Sequence, residues 1–171
     1  VITAKKISMN EYYSKFNQGI KVKTTRDLRW KRVDIKTINL LAPVLAKQEA
    51  AEHSCQEAWL IDEDGFITEG SSSTAWILKK NILYTTPLSN SILNGITRHT
   101  LIKGLNKNKL KLIEKKFNMR DIKDADEAFI TSATQFVMPV IKVDNIKIGS
   151  GKIGKYAHLF KNAYMEAIQL K

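Results

Sequence analysis

Two β-hairpin patterns in immediate succession constrain this chain more than any other feature. "EAWLIDEDGFITEG", from Glu57 to Gly70, sets two β-prone runs around Asp64-Gly65, and "STAWILKKNILYTTP" follows at once with a turn at Lys79 to Asn81. Back-to-back hairpins demand antiparallel neighbours, so a doubly wound parallel sheet is excluded. The surrounding stretches are mixed. "GIKVKTTRDLRWKRVDI" reads as an extended pair turning near Arg26-Asp27, and "LLAPVLAKQEAAEHS" predicts a helix from about Ala42 to Glu52. "NGITRHTLIKGLNKN" predicts a helix opening at Asn94-Gly95 and ending near Gly104 to Asn106, followed by a strand in "KLKLIEKKFN". "RDIKDADE" reads as a short helix or turn, "AFITSATQFVMPVIKVDNIKIG" as strand-rich, and "IGKYAHLFKNAYMEAIQL" as a closing amphipathic helix. The fold class is therefore α+β, a barrel-like mixed sheet with flanking helices.

One motif argues superficially for another fold. "GSGKIGKY", Gly149 to Tyr156, contains both G-x-G-x-x-G and G-x-x-x-x-G-K. A nucleotide-binding unit needs a helix and then a further parallel strand after such glycines, and only 15 residues follow Tyr156. Tyr156 also stands where a Walker loop carries its Ser or Thr. The stretch reads as a turn before the last helix.

The bulk numbers exclude more than they identify. The 171 residues suit one compact domain or part of something larger, and the chain starts at Val1, as expected of a processed or truncated protein. No apolar run approaches a membrane span and no signal-peptide core is evident, so the expectation is a cytoplasmic protein without membrane partners. Cys55 is the single cysteine, read as a reduced, half-buried thiol. His53, His99 and His158 lie far apart without carboxylates at ligand spacing, so no metal site is expected. A net charge of +11 raises the alternative of a basic nucleic-acid-binding module. However, 23 of the 28 basic residues are Lys, only five are Arg, and none lies between Gln48 and Leu78. That pattern fits a solvated lysine surface better than base or phosphate recognition, and no nucleic-acid partner is expected. Trp30, Trp59 and Trp76 read as core or interface residues.

Three stretches are harder to explain by packing. In "DIKTINLL", Lys36 sits among aliphatic residues ahead of a helix; a desolvated lysine loses its proton more readily and becomes an amine nucleophile. In "EGSSST", Glu69 ends a hairpin arm, Gly70 allows a tight backbone, and hydroxyls follow. In "LNGITRHT", a Gly-led helix start with Thr97 in its first turn forms an anion seat.

These three stretches, in this order, resemble the fold-type IV pyridoxal-phosphate enzymes, which include D-amino acid aminotransferase, branched-chain aminotransferase and aminodeoxychorismate lyase. "RWKRVDIKTINLLAPVLAKQEA", "EGSSS", "ILNGITR" and "ITSATQFVMPVIKVD" look most like D-amino acid aminotransferase within that group. The resemblance implies the large C-terminal domain of that fold, with residues 1–18 the end of an interdomain segment and residues 19–171 the cofactor domain. It implies pyridoxal 5'-phosphate as cofactor and amino acid and 2-oxo acid as substrates. Lys36 matches the family's Schiff-base lysine and Glu69 the carboxylate facing the pyridine nitrogen. Leu93 matches the apolar residue on the ring face, and Ile96 and Thr97 the phosphate-binding turn. Ser132 and Ala133 match the second phosphate loop, and Ser72 and Ser73 line the same pocket. Ala133 replaces a Thr usual in the D-specific enzymes, leaving backbone donation there. The family's first part, about 110 residues and a domain's worth, has no counterpart here; it carries the phosphate-anchoring Arg and the residues that trap the substrate carboxylate. Little activity is therefore expected of this chain alone. Family members are typically dimers, so a homodimer is expected.

Overall fold

In the computed structural model, which describes residues 2–4, 6, 8–105 and 110–168, the tandem hairpins lie in one mixed sheet, separated from each other by three other strands. The elements run α1 (Met9–Gln18), β1 (Ile20–Arg26), α2 (Leu41–Glu52), β2 (Glu57–Ile61), β3 (Ile67–Gly70), β4 (Thr74–Lys79) and β5 (Ile82–Thr85). Then come α3 (Ile96–Leu105), β6 (Lys111–Glu114), α4 (Met119–Lys123), β7 (Glu127–Ser132), β8 (Phe136–Val143), β9 (Ile146–Lys147) and α5 (Lys155–Ala167). The strand order is β3-β2-β1-β8-β7-β4-β5-β6, with β9 paired to β8. β1 runs parallel to β2 and β8, and β5 parallel to β6; the remaining pairs are antiparallel. A bridge between Phe66 and Asn118 and a bond from the Ile67 N–H to the Phe117 carbonyl (2.9 Å) join the chain at the two ends of that order. The sheet thus curls toward a barrel, as the pattern of hairpins implied.

Local chemistry explains the turns. Lys80 and Asn81 have φ of 50° and 62°, the two-residue left-handed turn that matches strand twist, and Gly65 has φ 82°. The core is aromatic: Trp76 stacks on Phe129 at 5.7 Å, and Phe129 meets Phe160 of α5 at 4.8 Å. Trp59 and Trp76 are fully buried, whereas Trp30 is 47% exposed. A smaller cluster, Ala46, Ala50, Ala58 and Leu60, seats α2 closely on the sheet through small side chains.

Two elements differ from expectation. The second strand of the extended pair does not form. After Asp27 donates its N–H to the Ile61 carbonyl at 2.8 Å, the chain leaves the sheet, because the Asp27 and Arg29 side chains pair with each other and turn inward. Residues 27–40 therefore form an irregular loop. Conversely, α1 arises where no helix was predicted. Ser8 caps it by accepting the Glu11 N–H, Tyr12 and Phe16 (spaced i, i+4) are buried in the main core, and the Tyr12 hydroxyl donates to the Val137 carbonyl at 2.9 Å.

The glycines of "GSGKIGKY" serve packing. Gly149 has φ 51°, and a Cβ there would fall 2.3 Å from the Asp126 carbonyl oxygen. The N-terminus of α5 receives the protein's own anion: the Glu127 carboxylate accepts the Tyr156 N–H at 3.1 Å and the Ala157 N–H at 2.9 Å. That occupied helix start leaves no seat for a phosphate.

Candidate active site

The loop 27–40, the turn after β3, the start of α3 and the β7–β8 turn converge on one cavity of about 480 Å³. All nine residues singled out in the sequence line it: Lys36, Glu69, Ser72, Ser73, Leu93, Ile96, Thr97, Ser132 and Ala133. They come from four segments separated by up to nearly a hundred positions, so their meeting is a property of the fold.

The carboxylate at the cavity floor is held on several sides. Glu69 is 5% exposed; Arg29 Nη1 donates to its Oε1 at 2.5 Å, and the Leu93 N–H reaches its two oxygens at 3.3 and 3.4 Å. Arg29 is itself shared. Its Nε and Nη2 bind the two oxygens of Asp27 at 2.9 and 2.7 Å, and Asp27 also accepts the Thr68 hydroxyl at 2.8 Å. Burial pushes the Glu69 carboxyl above the usual carboxylate range, and the Arg29 guanidinium opposes this without cancelling it. Asp27 moves the other way: burial would raise it, but the hydrogen bonds and charge of Arg29 outweigh that and hold it low.

The start of α3 offers a vacancy of bonding. The N–H groups of its first turn, at Ile96 and Thr97, have no acceptor within the helix. Thr97 is 2% exposed, and its hydroxyl oxygen is buried without a hydrogen-bond partner. A buried hydroxyl left unpaired costs stability unless a ligand completes it. A phosphate at this helix start would receive the hydroxyl and the first-turn N–H groups together. Across the cavity, the Ser132 hydroxyl accepts the Gln135 N–H at 3.0 Å, which closes the β7–β8 turn and leaves its proton free to donate. Ala133 is exposed beside it.

The serine turn divides its labour. Ser71 and Ser73 are buried and their hydroxyls donate to the Glu57 carboxylate at 2.5 and 3.1 Å, whereas Ser72 is exposed at the cavity wall. Lys36 is exposed, lying in the loop between Ile35 and Ile38, which are themselves 46% and 98% exposed. The desolvation expected of Lys36 is thus not supplied by the described residues of this chain, because the loop leaves the sheet instead of packing as a strand. Large apolar side chains crowd the same rim: Leu28, Trp30, Ile35, Leu40 and Ile96 line the cavity and are all exposed.

Sequence reasoning missed Asp27, Arg29 and Arg98. The sequence reading placed only a turn near Arg26-Asp27, though the Asp-x-Arg spacing of Asp27 and Arg29 suits a side-chain pair that turns inward. Arg98, 1% exposed, follows Thr97 and is fully engaged: it donates to the Thr86 carbonyl at 2.8 Å, pairs with Glu114 and lies 5.7 Å from the Trp76 ring. Among the described residues, no group of three or more His, Cys, Asp or Glu could hold a metal ion, and no helix is long and apolar enough to cross a membrane.

The chain is similar to known proteins over most of its length. The family model described as amino-transferase class IV matches residues 1–143. D-alanine aminotransferase of Bacillus licheniformis is 43% identical over 150 residues, covering 88% of this chain and 53% of the relative. The D-alanine aminotransferase of Staphylococcus epidermidis is 36% identical over 169 residues, covering 99% of this chain and 60% of the relative. The chain therefore spans between half and three fifths of the length of these curated relatives. Among solved structures, the branched-chain amino acid aminotransferase of Thermoproteus uzoniensis with norvaline superimposes with a TM-score of 0.76 at 25% identity, covering 90% of this chain and 52% of that one. The branched-chain enzyme of Escherichia coli gives 0.74 at 29% identity, covering 86% and 52%. With the family model spanning well over half of its residues and its cavity assembled from the segments that carried the resemblance, the chain belongs to the class IV aminotransferases.

Proposed function

We propose that this chain forms the cofactor-binding part of an enzyme that uses pyridoxal 5'-phosphate to transfer an amino group between a D-amino acid and a 2-oxo acid. The observation that carries the reading is the meeting of Lys36, Glu69, Thr97 and Ser132 around one cavity, with the buried Thr97 hydroxyl unpaired. When bound, the cofactor supplies an aldehyde carbon that reacts with amines and a ring that accepts electrons released at the substrate α-carbon. The chain's own residues do the rest. Ile96, Thr97, Ser132 and the backbone at Ala133 would hold the phosphate. Glu69 would hold a proton at the ring nitrogen, its oxygens kept oriented by Arg29 and the Leu93 N–H, and Leu93 would offer the ring an apolar contact. Ser72 adds a hydroxyl at the wall. Lys36 provides the reactive amine and then moves the proton at the substrate α-carbon.

The curated relatives support the D-amino acid over the branched-chain alternative, since the D-alanine enzymes reach 43% identity and the branched-chain structures 29%. The exposed apolar rim around the cavity supports a homodimer, because water-exposed Leu, Trp and Ile side chains in one patch favour a covering protein surface. The half-buried single cysteine supports a cytoplasmic setting. The test is a single turnover with D-alanine or L-leucine after loading with pyridoxal phosphate, run on a protein in which this chain is joined to the N-terminal part that its relatives carry. The expected result is 2-oxo acid from D-alanine, lost in Lys36→Ala. Product from L-leucine alone would move the assignment to the branched-chain class.

A further inference from the structure

A carboxylate with no exposed surface stands directly behind the serine turn. Glu57 opens β2 at 0% exposure, and its Oε1 accepts the Ser71 hydroxyl at 2.5 Å and the Ala58 N–H at 2.8 Å. Its Oε2 accepts the Ser73 hydroxyl at 3.1 Å. The Lys47 ammonium, reaching in from α2, lies 3.2 Å from Oε1 and is buried without a hydrogen-bond partner of its own. A charge this deep persists only when paired and hydrogen-bonded. Yet Glu57 does not line the cavity, so contact with a ligand does not explain it.

What Glu57 holds is the turn. The Gly70 N–H donates to the Ser73 carbonyl at 2.7 Å and the Ser71 N–H to the Ala58 carbonyl at 2.9 Å, so the backbone is closed and tied to β2. Space is tight enough that a Cβ at Gly70 would fall 2.1 Å from the Ser73 hydroxyl oxygen. All three serines line the cavity, but the flanking hydroxyls are buried and engaged by Glu57, whereas Ser72 between them is exposed.

We propose that Glu57, held by Lys47, is a positioning residue: it occupies the Ser71 and Ser73 hydroxyls and fixes the turn so that Ser72 presents its hydroxyl to the phosphate-bearing ligand of the cavity. This rests on the reading of that cavity as a pyridoxal phosphate site. Glu57→Gln turns one acceptor into a donor and leaves the Lys47 ammonium without a counter-charge, while nearly conserving volume.

Two readouts test it. In the unliganded protein, amide hydrogen exchange over residues 70–74 accelerates about tenfold or more in Glu57→Gln, while β4 and β7 beyond the turn stay within about twofold. In titrations with pyridoxal phosphate, Glu57→Gln and Ser72→Ala each weaken binding about tenfold, and the double variant is no weaker than either single. Unchanged exchange in the turn, or losses that multiply in the double variant, overturns the proposal. Should Glu57→Gln not fold, the Ser71→Ala/Ser73→Ala variant carries the same two comparisons. Absence of binding by the wild-type protein would refute the cofactor reading itself, and the exchange experiment would still decide what Glu57 holds.

Discussion

Replacing Arg29 by methionine removes the one cation shared by two buried carboxylates while keeping a side chain of similar reach. In the native chain, Arg29 makes bonds of 2.9 and 2.7 Å to Asp27 and 2.5 Å to Glu69. The three side chains are only 9%, 12% and 7% exposed, so water screens the interaction little. Breaking a buried pair by removing one partner costs about 3–5 kcal/mol. Burying the methionine side chain offsets part of this, so the expected loss near neutral pH is about 2–4 kcal/mol. The sign of the pH dependence follows from the carboxyls. In the native chain Asp27 lies below the usual range, so its contribution is present above that range and fades as the pH falls through it. In Arg29→Met both carboxyls rise, because two buried like charges face each other without the guanidinium. The folded variant then binds protons that the unfolded chain does not, and it gains relative stability on acidification. Urea unfolding at about pH 7.5 and about pH 5 measures both effects. The gap between native and variant is expected to be wide at the higher pH and narrower at the lower. A gap below about 1 kcal/mol at pH 7.5, or one that does not change with pH, would refute the account of this triad.

Two further substitutions probe other parts of the fold. Thr97→Val removes a buried hydroxyl that has no partner, so the unliganded protein should gain about 1 kcal/mol in urea unfolding, while pyridoxal phosphate binding should weaken about tenfold or more by spectroscopic titration. Loss of stability without loss of affinity would show that the hydroxyl serves the fold. Lys80→Asn suits the φ of 50° at the β4–β5 turn and leaves Asn81, which accepts the Tyr156 hydroxyl at 2.7 Å, in place, so the melting temperature should rise, from a gain of about 0.5 kcal/mol.

Much of this architecture was legible because it is local. The Asp64-Gly65 and Lys80-Asn81 turns declare themselves by residue type, and α2, α3 and α5 by spacing. The candidate site residues came from a resemblance rather than from periodicity: Lys36 alone looks like any surface lysine, and the structure leaves it exposed. The parts that were not legible depend on long-range pairing. Arg29 reaches Glu69 across 40 positions and Lys47 approaches Glu57 from a different element. No local pattern distinguishes an Asp-x-Arg that turns inward from one that faces water. The strand expected after Arg26 fails for the same reason, since the side chains that would have lined it are drawn to the cavity floor. Helix α1 could have been read from Tyr12 and Phe16 at i, i+4, but its polar residues masked that narrow stripe.

The central claim is that Lys36 is the reactive amine of a pyridoxal phosphate site. It is tested most directly by incubating the protein with pyridoxal phosphate, reducing with borohydride and mapping the modified peptides by mass. Of the 23 lysines in the chain, one should carry the phosphopyridoxyl group, at Lys36, and the adduct should vanish in Lys36→Ala. Adducts spread over the surface lysines, unchanged by Lys36→Ala, would contradict the claim.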